Sequence, residues 1–199
     1  MKITRPIRAV LFDMDGVMVD SEFVYMKYLL EFAKEKNPAV TMEDINQMVG
    51  RSRQDSWTVM ERAVNNGETW ETLIKEWAER DIYSRIDYRK IFRPEMKTTV
   101  QELKRRGYTV ALVSSTGPKL ISRIVEEVGM RPEFDLIVSG KQFKQSKPNP
   151  EIYHYTADTL GIREDECFVV EDSTVGIEAA YRAGMSIAGL KDEQGGLPY

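Results

Sequence analysis

Short, unbroken apolar runs recur along this chain, separated by stretches of helical length. They are Ala9-Val10-Leu11-Phe12, residues 110–113, Leu136-Ile137-Val138 and residues 167–170, with a weaker fifth at 186–190. A strand with one wet face alternates apolar and polar residues; a run without alternation fits a strand covered on both faces, as in a parallel sheet. The intervening segments carry helix punctuation. Residues 98–106 stop at Gly107, Gly117-Pro118 opens a helix that Gly129 ends, and Asn149-Pro150-Glu151 opens one that Gly161 closes. Residues 173–183 close at Gly184. Proline suits the first helical position, glycine the position after the last, and Asn149 the N-cap. Strand and helix in alternation predict a doubly wound, Rossmann-like α/β fold with a parallel sheet.

Residues 22 to about 88 break that rhythm. Apolar and aromatic side chains recur there at helical spacing, as in Tyr25, Tyr28, Leu29 and Phe32, or Trp70, Leu73, Ile74 and Trp77. No strand is expected in the block. It reads as a small helical domain inserted after the first strand, so the expected division is 1–20 plus 89–199 for the α/β core and 21–88 for the insert. The aromatic stripes are expected to form the insert's own core and not a ligand surface.

Composition narrows the function classes. The 199 residues suffice to bury a core without disulfide or metal staples. The net charge of −4, with Lys and Arg scattered, gives no reason to expect nucleic acid as a partner. No apolar stretch approaches the ~20 residues of a membrane span, and the polar start is unlike a signal peptide, so no membrane is expected and a cytoplasmic enzyme is the default. Cys167 is the only cysteine and lies in an apolar run, which points to a buried strand residue and not a nucleophile. His154 is the only histidine, placed mid-helix; no Ser/His/Asp triad and no histidine-based zinc site is available.

The chemistry gathers where the strands end. In an open α/β sheet, ligands bind beyond the carboxyl ends of the strands. The first run is followed by Asp13 and Asp15, with Gly16 to turn the chain. A carboxylate there can attack phosphorus, and a second can pass protons to and from the oxygens involved. Taken alone, an Asp-x-Asp is equally well a solvated turn. The second run leads to Ser114 and Ser115 before a helix start, a phosphate-binding arrangement of hydroxyls and N–H groups. The third is followed by Lys147-Pro148, and a lysine there neutralises a transferring phosphoryl group. Lys141 and Lys144 lie nearby, and the neighbouring proline is what marks Lys147. The fourth leads to Glu171-Asp172, which alone would pass for helix-capping acids. Four strand ends supplying Asp/Asp, Ser, Lys and Glu/Asp have no such bland reading together. Hard carboxylate ligands suit Mg²⁺, which also binds phosphate oxygens.

On these residues the chain resembles the haloacid dehalogenase superfamily over almost its whole length. Asp13-Met14-Asp15-Gly16 is similar to the first motif of that family, Ser114 to the second, Lys147 to the third and Glu171-Asp172 to the fourth. The stretches SKPNPEIY and VVEDSTVGIEAA resemble its β-phosphoglucomutase-like branch, which includes many sugar-phosphate phosphatases. The resemblance implies that the insert is a cap over the active site. It implies Asp13 as nucleophile and metal ligand, and Asp15 as general acid/base that also binds the metal through its carbonyl. Asp172, helped by Glu171, would complete a Mg²⁺ site, and Ser114 and Lys147 would bind the phosphoryl group. Asp15 argues against the dehalogenases, which lack the second aspartate.

Two outcomes share the first step. Water takes the phosphoryl group from Asp13 in a phosphatase, and a sugar hydroxyl takes it in a mutase. Residues 49–56 resemble the mutases' specificity loop, with Gly50, Arg53 and Ser56 on matching positions as substrate contacts. Tyr25 and Val49 stand where the mutases carry a His and a Lys, which favours hydrolysis, and Glu22 after Ser21 resembles a substrate-facing residue of the phosphatase members. The expectation is a phosphatase acting on a small phosphorylated metabolite, with a phosphomutase as the alternative and a non-catalytic binding module as a third class. A monomer or weak homo-oligomer is expected. The family usually continues with a last strand and helix, whereas the sequence stops here at Gly195-Gly196-Leu197-Pro198-Tyr199: either the sheet is short by a strand or the sequence is truncated, and an exposed sheet edge would then be open to cover by a partner.

Overall fold

The computed structural model describes residues 6–49 and 51–190, with Arg53 described in its backbone alone. The chain divides into two compact units, one built from the described residues up to Asp20 and from Asp87 onward, the other from Ser21–Ile86. Asp87 and Tyr88 therefore belong with the sheet; Tyr88 is buried there, its N–H donating to Glu127 Oε1 at 3.0 Å.

Among the described residues the first unit holds five strands, β1 (Ala9–Phe12), β2 (Thr109–Ser114), β3 (Leu136–Ser139), β4 (Cys167–Glu171) and β5 (Ser186–Gly189). Their order across the sheet is β3-β2-β1-β4-β5, and every pairing is parallel. The doubly wound α/β expectation is borne out. Parallel strands are linked by the predicted helices, Glu95–Arg105, Pro118–Glu127, Glu151–Leu160 and Thr174–Arg182. Gly107, Gly129, Gly161 and Gly184 follow them with positive φ, the left-handed stop that glycine adopts without a Cβ penalty. Asn149 accepts from Glu151 N–H at 2.9 Å, so it satisfies an orphan donor of that helix start although Pro150 is the residue at its boundary.

Period-two alternation sorts the strand side chains. Ala9, Leu11, Ala111, Val113, Cys167 and Val169 pack with Ile152, Tyr153 and Ala157 of one helix and Ala179, Ala180 and Ala183 of another. Val10 and Phe168 point to the other face, beside Thr99 and Leu103. β1 lies in the middle and is buried throughout, as its unbroken apolar run requires.

The second unit is helical: α1 (Ser21–Lys36), α2 (Met42–Asn46), α3 (Arg53–Val64), α4 (Trp70–Ala78) and α5 (Ile82–Arg85). Continuing in chain order, the four helices of the sheet unit are α6 (Glu95–Arg105), α7 (Pro118–Glu127), α8 (Glu151–Leu160) and α9 (Thr174–Arg182). Leu29, Phe32, Ile45, Trp57, Met60, Leu73 and Trp77 form the helical unit's core. The aromatic stripes serve that core, as expected. Trp77 Nε1 donates to Tyr25 Oη at 3.0 Å, and the two rings meet edge to face at 5.4 Å. Among the described residues no helix is long and apolar enough to cross a membrane.

Candidate active site

The parallel sheet brings Asp13, Ser114, Ser139 and Glu171 to one end, because each ends a strand or directly follows one. Phe12 is in register with Val170, and Asp13 N–H donates to Val170 O at 3.0 Å. Asp13 therefore stands beside Glu171 on adjacent strands, and two neighbouring buried carboxylates repel. Lys147 resolves that conflict. Its Nζ donates to Asp13 Oδ1 at 2.6 Å and to Glu171 Oε1 at 2.6 Å, with all three residues buried. The peptide Lys147–Pro148 is cis.

Burial pushes the Asp13 carboxyl up to about 7, against the pull of the Lys147 ammonium and with a further push from Glu171. Burial also works against the charge on Lys147, but Asp13, Tyr153 and Glu171 outweigh it and hold its pKa well above the usual lysine range. Tyr153 lies beneath, its ring centroid 5.2 Å from the ammonium and its hydroxyl 3.5 Å from Glu171 Oε1. Its phenol is raised, chiefly by burial.

Glu171, expected to help hold a metal, is engaged on both carboxylate oxygens by protein donors. While Oε1 meets Lys147, Oε2 accepts from Asp172 N–H, Ser173 N–H and Ser173 Oγ, each at 2.9 Å. A fully buried carboxylate engaged on both oxygens anchors the lysine and the start of α9. Gly176 makes the approach possible: a Cβ there would lie 1.6 Å from Glu171 Oε1. Asp172, the next residue, instead lies against the turn after β1, where a Cβ on Gly16 would meet its Oδ2 at 1.8 Å. Gly16 has φ +75°, so that turn needs glycine for conformation and for space.

The turn itself is held from within and from outside. Met18 and Val19 N–H both donate to Met14 O, and Gly16 N–H donates to Val19 O. Asp20 N–H donates to Ile91 O at 2.8 Å, and Arg93 N–H donates to Met18 O at 3.0 Å. Asp15, half-buried, accepts from Thr116 Oγ1 on Oδ2 at 2.9 Å. Ser114 is buried, and its Oγ accepts from Thr116 N–H at 3.0 Å; Ser115 is exposed.

The remaining expected substrate residues lie on the helical unit. Glu22 is half-buried in the first turn of α1. Gly50 lies outside the described residues, as does the Arg53 side chain. Ser56 Oγ donates to Met48 O at 2.8 Å, fixing the turn before α3. Tyr25 and Val49, where the mutases differ, both pack on the helical unit's own core. His154 pairs at the surface with Glu164 at 2.8 Å, and Cys167 is a buried strand residue whose thiol burial pushes up to about 12.

Thr116, Ser139, Tyr153 and Gly176 escaped the sequence reading. Gly176 carried a usable signal, since glycine inside a helix costs about 1 kcal/mol relative to alanine and so marks close approach. Thr116 sits in a visible hydroxyl run, but only the folded loop decides which hydroxyl meets Asp15.

A metal would find hard oxygen donors at this end: the carboxylates of Asp13 and Asp172 and the carbonyl of Asp15. Among the described residues no three acidic, His or Cys side chains converge to hold a metal unaided. That donor set fits Mg²⁺, which takes one or two carboxylates plus water and phosphate oxygens, and does not fit a closed zinc cage.

The chain is similar to known proteins over most of its length. The chain is 28% identical to a phosphoglycolate phosphatase of Photorhabdus laumondii subsp. laumondii, over 95% of this chain and 82% of that one. It is 26% identical to a phosphorylated-carbohydrates phosphatase of Thermotoga maritima, over 90% of this chain and 82% of that one. A Thermotoga maritima crystal structure provisionally assigned as a β-phosphoglucomutase superposes with TM-score 0.76 at 26% identity, covering 95% of this chain and 89% of that one. The family model for haloacid dehalogenase-like hydrolases matches residues 10–190, from β1 through β5 and with every strand end described above, and the chain belongs to that family.

Proposed function

We propose that this protein is a phosphatase that hydrolyses a small phosphate monoester, a sugar phosphate by preference, through an aspartyl-phosphate on Asp13. The observation that carries the reading is the Lys147 ammonium, joined at 2.6 Å to the buried Asp13 carboxylate at the ligand-binding end of the sheet. The phosphatase relatives support the substrate class.

In the first step an Asp13 carboxylate oxygen bonds to phosphorus and the ester P–O bond breaks. The departing alkoxide takes a proton from the Asp15 carboxyl. In the second step water attacks the aspartyl-phosphate and gives its proton to Asp15. The phosphorus bond to Asp13 then breaks, releasing inorganic phosphate. Lys147 offsets phosphoryl charge and keeps Asp13 in place; Ser114 donates to a phosphoryl oxygen, helped by N–H groups at the start of α7. Asp13, Asp172 and the Asp15 carbonyl would hold Mg²⁺, which when bound offsets negative charge on the phosphoryl oxygens. Glu171 acts at one remove, by fixing Lys147.

The likeness to a β-phosphoglucomutase supports a second reading, in which a sugar hydroxyl replaces water. Tyr25, held by Trp77, and Val49, packed in the helical core, favour hydrolysis, because neither supplies the mutases' His and Lys. Product analysis with a hexose 1-phosphate and Mg²⁺ separates the two: free phosphate is expected, and the 6-phosphate without free phosphate would establish the mutase. Asp13→Asn is expected to abolish turnover in both cases, and retained activity would refute the nucleophile. Tight ligand binding without turnover of any phosphate ester would leave a binding module.

A further inference from the structure

We propose that Thr116 is a positioning residue for Asp15, holding its carboxyl through the side-chain hydroxyl so that the proton is delivered to the leaving oxygen. The inference rests on the reading of Asp15 as general acid/base given above. The contact itself is Thr116 Oγ1 to Asp15 Oδ2 at 2.9 Å, between residues 101 positions apart.

What marks Thr116 is that the rest of it is fixed independently. Its N–H donates to Ser114 Oγ at 3.0 Å, which folds the loop back on the end of β2. Its carbonyl accepts from Ser139 Oγ at 2.6 Å, from the end of the adjacent strand β3. The turn after β3 also presses on this loop, since a Cβ on Gly140 would lie 3.1 Å from Ser115 Cα. Backbone donor and acceptor are thus both tied to strand ends. A β-branched side chain on a fixed backbone has few rotamers, so the hydroxyl has a defined place.

Asp15 follows the end of β1 in a turn and is half-buried. A hydroxyl suits the task because it donates to a carboxylate and accepts from a carboxylic acid. It therefore stays engaged through both halves of the reaction. Lys147 cannot take this role, because its ammonium is already shared between Asp13 and Glu171.

The test uses two aryl esters of similar shape and different leaving-group basicity, p-nitrophenyl phosphate and phenyl phosphate, on the full chain with Mg²⁺. Proton delivery matters little for the first and more for the second. Thr116→Val is expected to lower kcat about tenfold on phenyl phosphate and about twofold on p-nitrophenyl phosphate, a part of the 10²–10⁴ that general acids contribute. Thr116→Ser, which keeps the hydroxyl, is expected to restore both. Equal losses on the two esters, no loss on either, or failure of the serine variant to restore activity would overturn the proposal. Far-UV circular dichroism of each variant verifies folding, and Thr116→Ser decides the matter if the valine variant does not fold. Asp15→Asn serves as the reference: if it shows no greater loss on phenyl phosphate, the general-acid reading itself falls, and the role of Thr116 with it.

Discussion

Replacing Lys147 with methionine isolates the charge that the site is built around. Methionine occupies similar volume, so packing changes little while the ammonium disappears. Two carboxylates then remain side by side, with side chains 10% and 1% exposed for Asp13 and Glu171. Removing one partner of a buried pair costs about 3–5 kcal/mol while the other charge persists. Protonating Asp13 relieves part of that cost. Burial already pushes its carboxyl from 3.8 up to about 7 with the lysine pulling the other way, so without the lysine it climbs further. The sign follows from linkage. A carboxyl with a folded pKa above its unfolded value binds a proton more readily when folded. Its contribution is intact below the unfolded value of 3.8 and is lost as pH rises through the folded value, at or above about 7. Urea denaturation followed by far-UV circular dichroism, in metal-free buffer, reads the effect. The variant is expected to be less stable than the parent by roughly 3 kcal/mol or more near pH 8.5, and by distinctly less near pH 5.5. An equal deficit at the two pH values would refute the reasoning, because packing alone does not titrate.

Two other variations probe the neighbourhood. Gly176→Ala would place a Cβ 1.6 Å from Glu171 Oε1 and displace the carboxylate that anchors Lys147. Phosphatase kcat is expected to fall about tenfold or more, since misplacement near 1 Å can cost ~10²; unchanged activity would show that the anchor is dispensable. Cys167 is buried, with its thiol pushed up to about 12. Ellman's reagent is expected to label it only after denaturant is added, and rapid labelling of the native protein would contradict its place in β4.

The sheet was legible because its signals are local. Four unbroken apolar runs, each flanked by polar residues, mark β1 to β4 within a residue or two, and the order of elements implies parallel pairing. The helical insert was legible from aromatic spacing alone. The polar residues at the strand ends were visible for the same reason, as their positions follow from where the strands stop. Their mutual contacts were not. Lys147 reaches Asp13 across 134 positions and Glu171 across 24, and nothing in sequence spacing says that one ammonium bridges two carboxylates. Glu171 and Asp172 are adjacent in sequence, but the strand's pleat and the start of α9 send the first toward the lysine and the second against Gly16. Tyr153 escaped the sequence reading, because its hydroxyl matters only once α8 lies on the sheet.

The central place of β1 has a consequence for how the molecule is made. This strand is synthesised before the four others described, yet its ladders need Thr109 on one side and Cys167 on the other. The helices of the insert, by contrast, draw their partners from near neighbours in sequence, and contacts of that kind close earlier. Synthesis therefore completes one unit while the strand bearing Asp13 still lacks both neighbours. A chain released early, anywhere before Glu171, would carry the nucleophile without the carboxylate that shares its lysine, so the site matures only once β4 has been made.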